Sequence, residues 1–440
     1  MLNEKAAVKM NIDFEHIIGA IKPMHSVGQP PWEGISDKYL HYLKEANIPY
    51  SRLHDMGGAY GGSVYVDIPN IFRNFEADAE DADSYDFAFT DILISAMMKH
   101  DCEPIYRLGV TIENYHAVKA YRTAPPADYQ KWATICEHVI RHYTEGWADG
   151  FHYPITYWEI WNEPDNGTAP EKNPMWSGTT EEFYELYNVT AKHLKACFGD
   201  KIKVGGFGSC GFYGIFENSP LMKRELGDYC LEFFTGFLEY IKEHNAPMDF
   251  FSWHSYDSVE NTVAMAQYLE KTLDEYGYGE VENHLNDWNN ANGRQNLGTS
   301  RASAGVAAMM CAMQDTKTYM LCYYDARMRA GAYGGMFNAN TTEPYCTYYP
   351  FVCFGEMYAL GKQAACDWEQ EGLYATAATD GARKAVMIAN ISGDAVTVQT
   401  NLEKDMRVYV IDAAHPYAWS PKQAEEFVID KDQVVFIRNY

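Results

Sequence analysis

Trp158-Glu159-Ile160-Trp161-Asn162-Glu163-Pro164 has the pattern of a short buried strand that ends in polar side chains. Aromatic and β-branched residues favour strands, and Pro164 marks where the chain leaves the sheet, because proline cannot donate a ladder hydrogen bond. Strand alternation sends Glu159, Trp161 and Glu163 to one face and the residues between them to the other. The departure of the chain near Pro164 can re-aim the last of these side chains.

Seven further runs of β-branched or aromatic residues occur between about residues 18 and 362, and they alternate with stretches whose apolar residues recur at helical spacing. The eight predicted strands are 18–22, 48–54, 103–109, 155–161, 201–207, 248–254, 282–288 and 318–324. Eight parallel strands close a barrel with helices around it. The sequence therefore predicts an α/β fold, a (β/α)8 TIM barrel, with its active site at the carboxyl ends of the strands.

The pattern changes after residue 362 to short strands and tight turns, as in 385–390 followed by Ser392-Gly393. We predict a catalytic barrel over residues 15–362 and an antiparallel β-sandwich domain over residues 363–440. Residues 1–14 contain an alternating apolar and polar run, which is predicted to add one strand to the sandwich. The Ala- and Met-rich stretch 299–314 is predicted to be a closely packed core helix.

The charge balance argues against two classes of partner. The chain has 61 acidic and 35 basic residues, and a net charge of -26 repels nucleic acid and anionic membrane surfaces. No apolar run reaches the roughly 20 residues that span a bilayer, and the first residues lack the apolar core of a signal peptide. The expected location is cytoplasmic, with neither nucleic acid nor membrane as a partner.

The sequence lacks the usual motifs of metal-binding and nucleotide-binding sites. The ten cysteines contain no Cys-x-x-Cys pair and are expected to be buried free thiols, and the 14 histidines include no His-Glu-x-x-His motif. Gly205-Gly206-Phe207-Gly208 lacks the phosphate-loop lysine and the dinucleotide fingerprint, which favours a tight turn. No cofactor and no catalytic metal are predicted.

Glycosidic bond cleavage accounts better for the polar strand ends. This reaction needs one carboxylic acid beside the leaving oxygen and a second carboxylate that attacks or stabilises the oxocarbenium-like centre. Glu163 lies at the end of the fourth predicted strand, where a barrel places catalytic groups. Glu163 is therefore the candidate acid/base.

Asn162-Glu163-Pro164 at the end of the fourth strand is similar to the acid/base motif of the clan A glycoside hydrolases, and most of the chain resembles glycoside hydrolase family 39, the β-xylosidase family. Segments 50–55, 85–87 with 104–109, and 249–256 resemble the second, third and sixth strand regions of that family. The resemblance implies a TIM barrel with a β-sandwich and a retaining glycosidase. It also implies a possible homo-oligomer, a dimer or a tetramer.

Carried over by residue, the resemblance implies roles for five side chains. Asn162 would hydrogen-bond the 2-hydroxyl of the sugar, Arg52 and Tyr256 would hold the nucleophile, and His54 and His254 would contact sugar hydroxyls. A histidine or tyrosine at a strand end is often a purely structural residue, so both interpretations of His54 and His254 stay open.

The seventh strand departs from the family pattern, which ends in Thr-Glu-Trp-Asn with the glutamate as nucleophile. Here the segment is Leu285-Asn286-Asp287-Trp288-Asn289, so Asp287 takes the nucleophile position and Trp288 is a candidate substrate contact. An aspartate is one methylene shorter, which moves the carboxyl groups apart by up to ~1.5 Å from the roughly 5–5.5 Å of retaining enzymes. Three alternatives follow: Asp287 attacks the sugar, Asp287 activates water in an inverting enzyme, or the site binds sugar without cutting it. Glu280 and Glu282 lie before or at the start of the strand and are expected to be structural.

The eighth strand departs as well. In the family this strand region contains an acidic pair, whereas here it reads Cys322-Tyr323-Tyr324-Asp325-Ala326-Arg327. Asp325 and Arg327 are candidate sugar contacts. Arg327 could favour another pentose, a hexose or an acidic sugar through its planar donor fork. The prediction is a retaining, exo-acting glycosidase on β-linked glycosides or small oligosaccharides, β-xylosidase-like with the sugar open. The alternatives are a catalytically impaired sugar-binding protein and an inverting glycosidase.

Overall fold

The structure is a computed structural model, and it describes residues 7–32, 36–56, 66–111, 123–291, 293–328, 331–333 and 335–440. The strands of the described residues are β1 Val8–Ala20, β2 Ser26–Gly28, β3 Tyr50–Leu53, β4 Glu103–Leu108, β5 Tyr157–Ile160, β6 Lys203–Ser209, β7 Phe250–Ser255, β8 Glu282–Trp288, β9 Thr318–Tyr324, β10 Lys362–Trp368, β11 Leu373–Thr379, β12 Lys384–Asn390, β13 Val396–Thr400, β14 Arg407–Ile411, β15 Ala418–Ser420, β16 Glu426–Ile429 and β17 Gln433–Arg438. The α-helices of the same residues are α1 His41–Glu45, α2 Ile68–Ile71, α3 Ala88–Lys99, α4 Tyr129–Thr144, α5 Thr180–Phe198, α6 Arg224–His244, α7 Val259–Tyr276, α8 Ser300–Gln314 and α9 Tyr349–Leu360.

Strands β2 to β9 form a closed barrel in which neighbouring strands run parallel. The predicted (β/α)8 fold class is confirmed. Parallel strands need crossover connections, and α1 together with α3 to α8 lies in them around the barrel. All eight strands therefore direct their carboxyl ends to the same rim, where the candidate residues collect.

Seven of the eight predicted barrel strands overlap observed ones, but the prediction of 18–22 as the first barrel strand was wrong. Those residues are the end of β1, which pairs with β10 in the second sheet, and the first barrel strand is β2. The apolar run around Ile17 and Ile18 gives the stronger strand pattern, whereas the three residues of β2 are too few to show a period.

The prediction of a tight turn at Gly205-Gly206-Phe207-Gly208 was also wrong, because these residues lie within β6. Glycine is required here by close packing. A Cβ atom on Gly205 would lie 2.0 Å from the carbonyl oxygen of Phe250 on the neighbouring strand. The glycines let β5, β6 and β7 approach each other at this point in the barrel.

The remaining nine strands form one sheet in the order β15-β14-β17-β12-β11-β10-β1-β13-β16. The pairing of β1 with β13 is parallel and the other described pairings are antiparallel, so the sheet is mixed where a purely antiparallel sandwich was expected. β1 extends to Ala20, beyond the predicted limit at residue 14. Met10, Val386 and Ile437 lie in a core that belongs to this sheet alone.

The other face of the sheet packs on the barrel. Met387, Val434 and Phe436 belong to the same hydrophobic core as the barrel helices. The Ala- and Met-rich helix α8 lies against β11, β12 and β17, as its predicted core role requires. Small side chains allow this helix to lie close to the sheet. No helix of the described residues has the length and apolar character needed to cross a membrane.

Candidate active site at the carboxyl ends of the barrel strands

The end of β5 turns the polar residues toward the barrel axis by leaving the strand conformation. Trp161 and Glu163 have φ angles of 72° and 46°, in the left-handed region that non-glycine residues seldom adopt. Trp161 consequently packs outward against Trp132 and Trp176. The expectation that Glu159, Trp161 and Glu163 share a face was wrong, because the strand alternation ends at Ile160.

The loop after β5 is fixed to the end of β6. The backbone N–H of Glu163 donates to the carbonyl oxygens of Phe207 at 3.1 Å and Gly208 at 3.0 Å. The buried Asp165 accepts hydrogen bonds from the Ser209 hydroxyl at 2.6 Å and from the Cys210 N–H at 3.1 Å. Burial raises the pKa of Asp165 to about 6. The position of Glu163 is therefore set by backbone and buried side-chain contacts.

Arg52, at the end of β3, lies fully buried at the centre of the site. Its Nε donates to Glu159 at 2.7 Å, its Nη1 to Asp287 Oδ2 at 2.9 Å, and its Nη2 to Asn162 Oδ1 at 2.6 Å. Burial opposes the charged form of Glu159, but Arg52 and neighbouring hydrogen bonds hold its pKa below the usual range. The planar guanidinium thus holds Asp287 and orients Asn162, whose amide N–H groups stay available to a ligand.

Gly208 makes room for this arrangement. A Cβ atom at Gly208 would lie 3.1 Å from Arg52 Nη2, 3.1 Å from His254 Nε2 and 3.2 Å from Asn162 Oδ1. The φ angle of 62° at this residue is a second reason for glycine. The backbone of β6 therefore forms a wall of the site without a side chain.

His254, at the end of β7, lies between the two candidate catalytic carboxylates. Its Nδ1 lies 2.8 Å from Glu163 Oε1, and its Nε2 lies 3.8 Å from Asp287 Oδ2. Burial alone would lower the pKa of His254, but the negative charges of Asp287 and Glu163 outweigh it and the pKa is raised. The imidazole therefore carries a proton at higher pH than an isolated histidine does, and it offers N–H donors toward both carboxylates.

The carboxyl group of Asp287 is held by one oxygen only. Oδ2 accepts from Arg52, whereas Oδ1 is buried and has no hydrogen-bond partner among the described residues. Burial raises the pKa of Asp287, and the positive charges of Arg52 and His254 partly offset this effect. A Cβ atom at Gly28 would lie 3.2 Å from Oδ1, so the end of β2 leaves space beside this oxygen. A buried carboxylate oxygen without a partner is available to a ligand.

Glu163 has a second hydrogen bond on its solvent side. The amide of Asn166 donates to Oε2 at 2.8 Å, and the Glu163 side chain is 15% exposed, compared with 4% for Asp287. In a retaining glycosidase the acid/base has to reach the leaving group and water, which suits the more exposed Glu163, and the more enclosed Asp287 is the candidate nucleophile.

His54 lies in a polar network that the sequence did not indicate in full. Arg107 Nε donates to His54 Nδ1 at 3.2 Å, and His54 Nε2 lies 3.1 Å from Asp55 Oδ1. Burial, reinforced by Arg107 and Arg52, lowers the pKa of His54 well below its usual value. His54 is consequently a neutral ring near the rim, 2% exposed, and its predicted contact with a sugar hydroxyl stays a prediction.

Asp325 and Arg327 are bound to each other. Arg327 Nε donates to Asp325 Oδ2 at 2.6 Å, and its other nitrogens donate to the Asp55 carbonyl and to the Tyr324 hydroxyl, each at 3.1 Å. Tyr324 in turn donates to the Asp55 carboxylate. Arg327 thus ties the end of β9 to the end of β3, and its guanidinium already has a carboxylate partner.

The surroundings of Tyr256 and Trp288 differ from what their predicted roles, holding the nucleophile and contacting the substrate, would lead one to expect. Burial and the charge of Asp287 raise the pKa of Tyr256, but no hydrogen bond joins the two side chains, and the Tyr256 ring packs against Tyr324 and Tyr333. Trp288 is 0% exposed and packs against Tyr323 in the hydrophobic core. Trp288 is a core residue here, because Asp287 faces the site and the next residue of a strand faces the opposite way.

Residues 9–288 match the family model described as "Glycosyl hydrolases family 39". The chain belongs to this family. The match runs from β1 to the end of β8 and so includes Arg52, Glu163, His254 and Asp287.

Two curated relatives are both named as β-xylosidases. The chain is 26% identical over 257 residues to a β-xylosidase of Geobacillus stearothermophilus, which covers 56% of this chain and 43% of the relative. It is 24% identical over 268 residues to a β-xylosidase of Caldicellulosiruptor saccharolyticus, with 56% and 47% coverage. The chain spans about half the length of the curated relatives it matches.

Solved structures show the same fold. A glucosidase from Croceicoccus marinus has a TM-score of 0.78 at 19% identity and covers 99% of both chains. A family 39 β-xylosidase from Caulobacter crescentus has a TM-score of 0.68 at 16% identity and covers 98% of this chain and 99% of its own. The barrel and the second sheet of this family 39 chain therefore have counterparts along nearly their whole length.

Three residues of the family 39 site were not singled out as site residues in the sequence. The sequence assigned Glu159 to a strand face but did not indicate its ion pair with Arg52. Arg107 and Asp67 form a second buried ion pair, at 2.6 Å, beside His54. An arginine inside a short apolar strand is the signal that could have indicated both pairs, since a buried guanidinium requires a carboxylate partner.

Proposed function

We propose that the chain is a retaining glycosidase that cleaves β-linked glycosides of a neutral sugar, with β-xylosides as the first candidates. The observation that carries the proposal is the placement of Glu163 and Asp287 on opposite nitrogens of the His254 ring. Membership of family 39 and the two β-xylosidase relatives support the same reaction class.

In the first step, Asp287 Oδ1 attacks the anomeric carbon while Glu163 gives its proton to the leaving oxygen. The bond from the anomeric carbon to that oxygen breaks, and an ester bond to Asp287 forms. Arg52 holds Oδ2 of the attacking carboxylate, which keeps Oδ1 directed away from the guanidinium. The buried environment disfavours the charged form of Asp287, so transfer of its charge into a covalent bond is favourable.

In the second step, the Glu163 carboxylate takes a proton from water, and the water oxygen attacks the anomeric carbon. The ester bond to Asp287 breaks and the free sugar leaves with its original configuration. His254 donates to Glu163 Oε1 and Asn166 to Oε2, so these two side chains keep the carboxyl group in place for both proton transfers.

A neutral sugar fits the charge balance of the site better than an acidic one. Among the described residues, three buried guanidinium groups lie at the strand ends, and each is paired with a carboxylate of the protein: Arg52 with Glu159 and Asp287, Arg107 with Asp67, and Arg327 with Asp325. A uronic acid would bring a further negative charge next to these carboxylates, where each of the three guanidinium groups already has a carboxylate partner.

Glu163→Gln tests the assignment of the acid. On xylobiose, whose leaving group needs protonation, the variant is expected to lose about 10²- to 10⁴-fold in kcat/KM. On 2,4-dinitrophenyl β-xyloside, whose leaving group departs without protonation, the loss in kcat/KM is expected to be much smaller. Glu282→Gln, at the opposite end of the barrel, serves as the matched control. Full activity of Glu163→Gln on xylobiose refutes the assignment.

A panel of 4-nitrophenyl glycosides tests the sugar. β-Xyloside, β-glucoside and α-L-arabinoside represent neutral sugars, and β-glucuronide and α-L-iduronide represent acidic ones. The proposal expects the highest kcat/KM on a neutral glycoside. A uronide as the best substrate contradicts the charge argument but leaves the glycosidase assignment in place. Hydrolysis of none of these and saturable binding of xylose would favour the sugar-binding alternative.

We also propose, from the family resemblance alone, that the chain assembles into a homodimer or homotetramer. Light scattering of the purified full chain measures this directly, and a monomer mass across micromolar concentrations contradicts it. The cytoplasmic location stays a prediction from the sequence.

A further inference from the structure

A second cluster of reactive side chains lies between α4 and α5, on the outside of the barrel. Glu137 of α4 and His193 and Cys197 of α5 each offer one metal-ligand atom, and these atoms lie within 4.8 Å of one another. His193 and Cys197 are four residues apart, so both project from the same face of α5. The glycosidase mechanism uses none of the three.

We propose that Glu137, His193 and Cys197 form a binding site for a tetrahedral divalent transition metal ion, Zn²⁺ in the first instance, that joins α4 to α5. One carboxylate oxygen, one imidazole nitrogen and one thiolate sulfur suit Zn²⁺, whereas Mg²⁺ and Ca²⁺ take oxygen ligands. Three protein ligands leave the fourth position to water. All three residues are half-buried, so an ion can reach them from solvent.

The spacing of the ligand atoms is close to that of such a site. His193 Nε2 lies 3.8 Å from Cys197 Sγ and 2.6 Å from Glu137 Oε2. Bonds of about 2.3 Å to sulfur and about 2.0–2.2 Å to nitrogen or oxygen place tetrahedral ligand atoms roughly 3.3–3.7 Å apart. The nitrogen-to-sulfur distance fits already, and the Glu137 carboxylate needs to retreat by less than about 1 Å.

Gln130 and Arg141 lie where outer partners of the histidine and carboxylate ligands would lie. His193 Nδ1 lies 2.8 Å from the side-chain amide of Gln130, and a rotation of this amide presents its oxygen to an Nδ1–H group. Arg141 Nε donates to Glu137 Oε1 at 2.6 Å and leaves Oε2 for the ion. Such hydrogen bonds to the far side of histidine and carboxylate ligands are typical of protein metal sites.

The local charge balance accommodates a dication. Arg141 also pairs with Glu145, and Lys201 lies 3.5 Å from Glu145. Glu137, Glu145 and a Cys197 thiolate bring three negative charges against the two positive ones.

Titration of the full chain with Co²⁺ after treatment with a chelator tests the site. Tetrahedral Co²⁺ bound to a thiolate gives a sulfur-to-cobalt charge-transfer absorption that oxygen and nitrogen ligands do not give. We expect one Co²⁺ per chain with this absorption, and its loss on addition of Zn²⁺. Cys197→Ser should abolish the absorption, and His193→Asn should weaken Co²⁺ binding at least as much as the 10–100-fold that loss of an outer partner causes.

Cys366→Ser is the matched control, because Cys366 and Cys197 are the two cysteines described as half-buried and the other eight are buried. The control should bind Co²⁺ as the unmodified chain does. Protection of Cys197 from iodoacetamide by Zn²⁺, measured by peptide mass spectrometry, needs no substitution and so does not depend on the folding of a variant. Absence of the absorption at millimolar Co²⁺, or its survival in Cys197→Ser, overturns the proposal. Neither readout depends on glycosidase activity.

Discussion

Each end of the barrel has a carboxylate in a charged network, half-buried Glu282 at one end and buried Asp287 at the other, and the two differ in whether both oxygens have partners. At the amino ends of the strands, Glu282 accepts from Lys203 on Oε1 and from Tyr157 and His284 on Oε2, at 3.1 and 3.0 Å for the last two. At the carboxyl ends, Asp287 is bound through Oδ2 and keeps Oδ1 unpaired among the described residues.

The pKa shifts of the two carboxylates agree with this difference in hydrogen bonding. Burial opposes the charged form of Glu282, but hydrogen bonds and charges from His284 and Lys203 lower its pKa to about 2. Burial raises the pKa of Asp287, and Arg52 and His254 offset only part of this effect. A carboxylate whose oxygens all have partners stabilises the fold, whereas a carboxylate with an unpartnered buried oxygen is available to react with a ligand.

The largest expected effect separates the two ends by activity. Asp287→Asn removes the attacking oxygen's charge and is expected to lower kcat/KM about 10⁴-fold or more, the scale of losing a nucleophile. Glu282→Gln is expected to keep kcat/KM within a few-fold, since it lies away from the reacting groups. Steady-state kinetics on 4-nitrophenyl β-xyloside, or on the best neutral glycoside of the panel, measures both. Equal losses in the two variants contradict the comparison.

The second effect concerns the buried guanidinium that holds Asp287. Arg52→Met leaves Glu159 and Asp287 buried without their cation, which is expected to lower the free energy of unfolding by about 3–5 kcal/mol. Arg73→Met is the control, because the Arg73 side chain is 66% exposed in its ion pair with Asp86 and the expected loss is at most about 1 kcal/mol. Urea unfolding measures the difference, and similar losses in both variants contradict the argument.

The pH dependence of stability should differ in sign between the two carboxylates. The lowered pKa of Glu282 contributes stability that is present above its ordinary value of 4.5 and is lost as pH falls toward about 2. The raised pKa of Asp287 contributes stability that is present below its ordinary value of 3.8 and is lost as pH rises through the folded-state value. Both variants are compared with the unmodified chain by unfolding at pH 3 and pH 7.

On going from pH 3 to pH 7, Glu282→Gln should become less stable relative to the unmodified chain, and Asp287→Asn should become more stable relative to it. Each substitution also alters packing, but by the same amount at pH 3 and pH 7. The test is therefore the direction in which the stability difference between variant and unmodified chain changes with pH. Changes of the same sign in the two variants would contradict the opposite pKa shifts of Glu282 and Asp287.

The smallest expected effect comes from a single hydrogen bond at the active end. Asn166→Ala removes the donor to Glu163 Oε2, and a bond to a carboxylate of about 1.5 kcal/mol corresponds to roughly a tenfold loss in kcat/KM. Asn70→Ala, on the short helix α2, is a control of the same chemistry at a half-buried position. An unchanged kcat/KM with an unchanged pH profile in Asn166→Ala would contradict a role of this hydrogen bond in catalysis.

Most of the barrel could be predicted from the sequence because most of its strands are long enough to show a periodic pattern. The strands from β3 to β9 have four to seven residues and lie between clear amphipathic helices, whereas β2 has three and was missed. The second sheet was expected to be antiparallel, and the parallel pairing of β1 with β13 joins segments almost 400 residues apart, which no local pattern can indicate.

The site could be predicted only in part, because several of its features depend on contacts between distant segments. Glu163, Asp287 and Arg52 were identified from motif and position, and the structure brings them together around His254. The positive φ angles of Trp161 and Glu163 that end the strand alternation, the burial of Trp288 and the pairing of Arg327 with Asp325 all depend on tertiary contacts. The cluster of Glu137, His193 and Cys197 was missed because its members come from two helices.

The most direct test of the central claim is to trap the glycosyl-enzyme and locate the modified residue. A 2-deoxy-2-fluoro β-xyloside with a dinitrophenyl leaving group slows the second step more than the first, so the covalent intermediate accumulates and peptide mass spectrometry identifies its position. If a different neutral sugar is best in the panel, its 2-fluoro analogue is used. The account predicts one fluorosugar per chain, attached to the peptide that contains Asp287. Attachment to another residue, or turnover of the unfluorinated substrate with inverted configuration at the anomeric carbon, would contradict it.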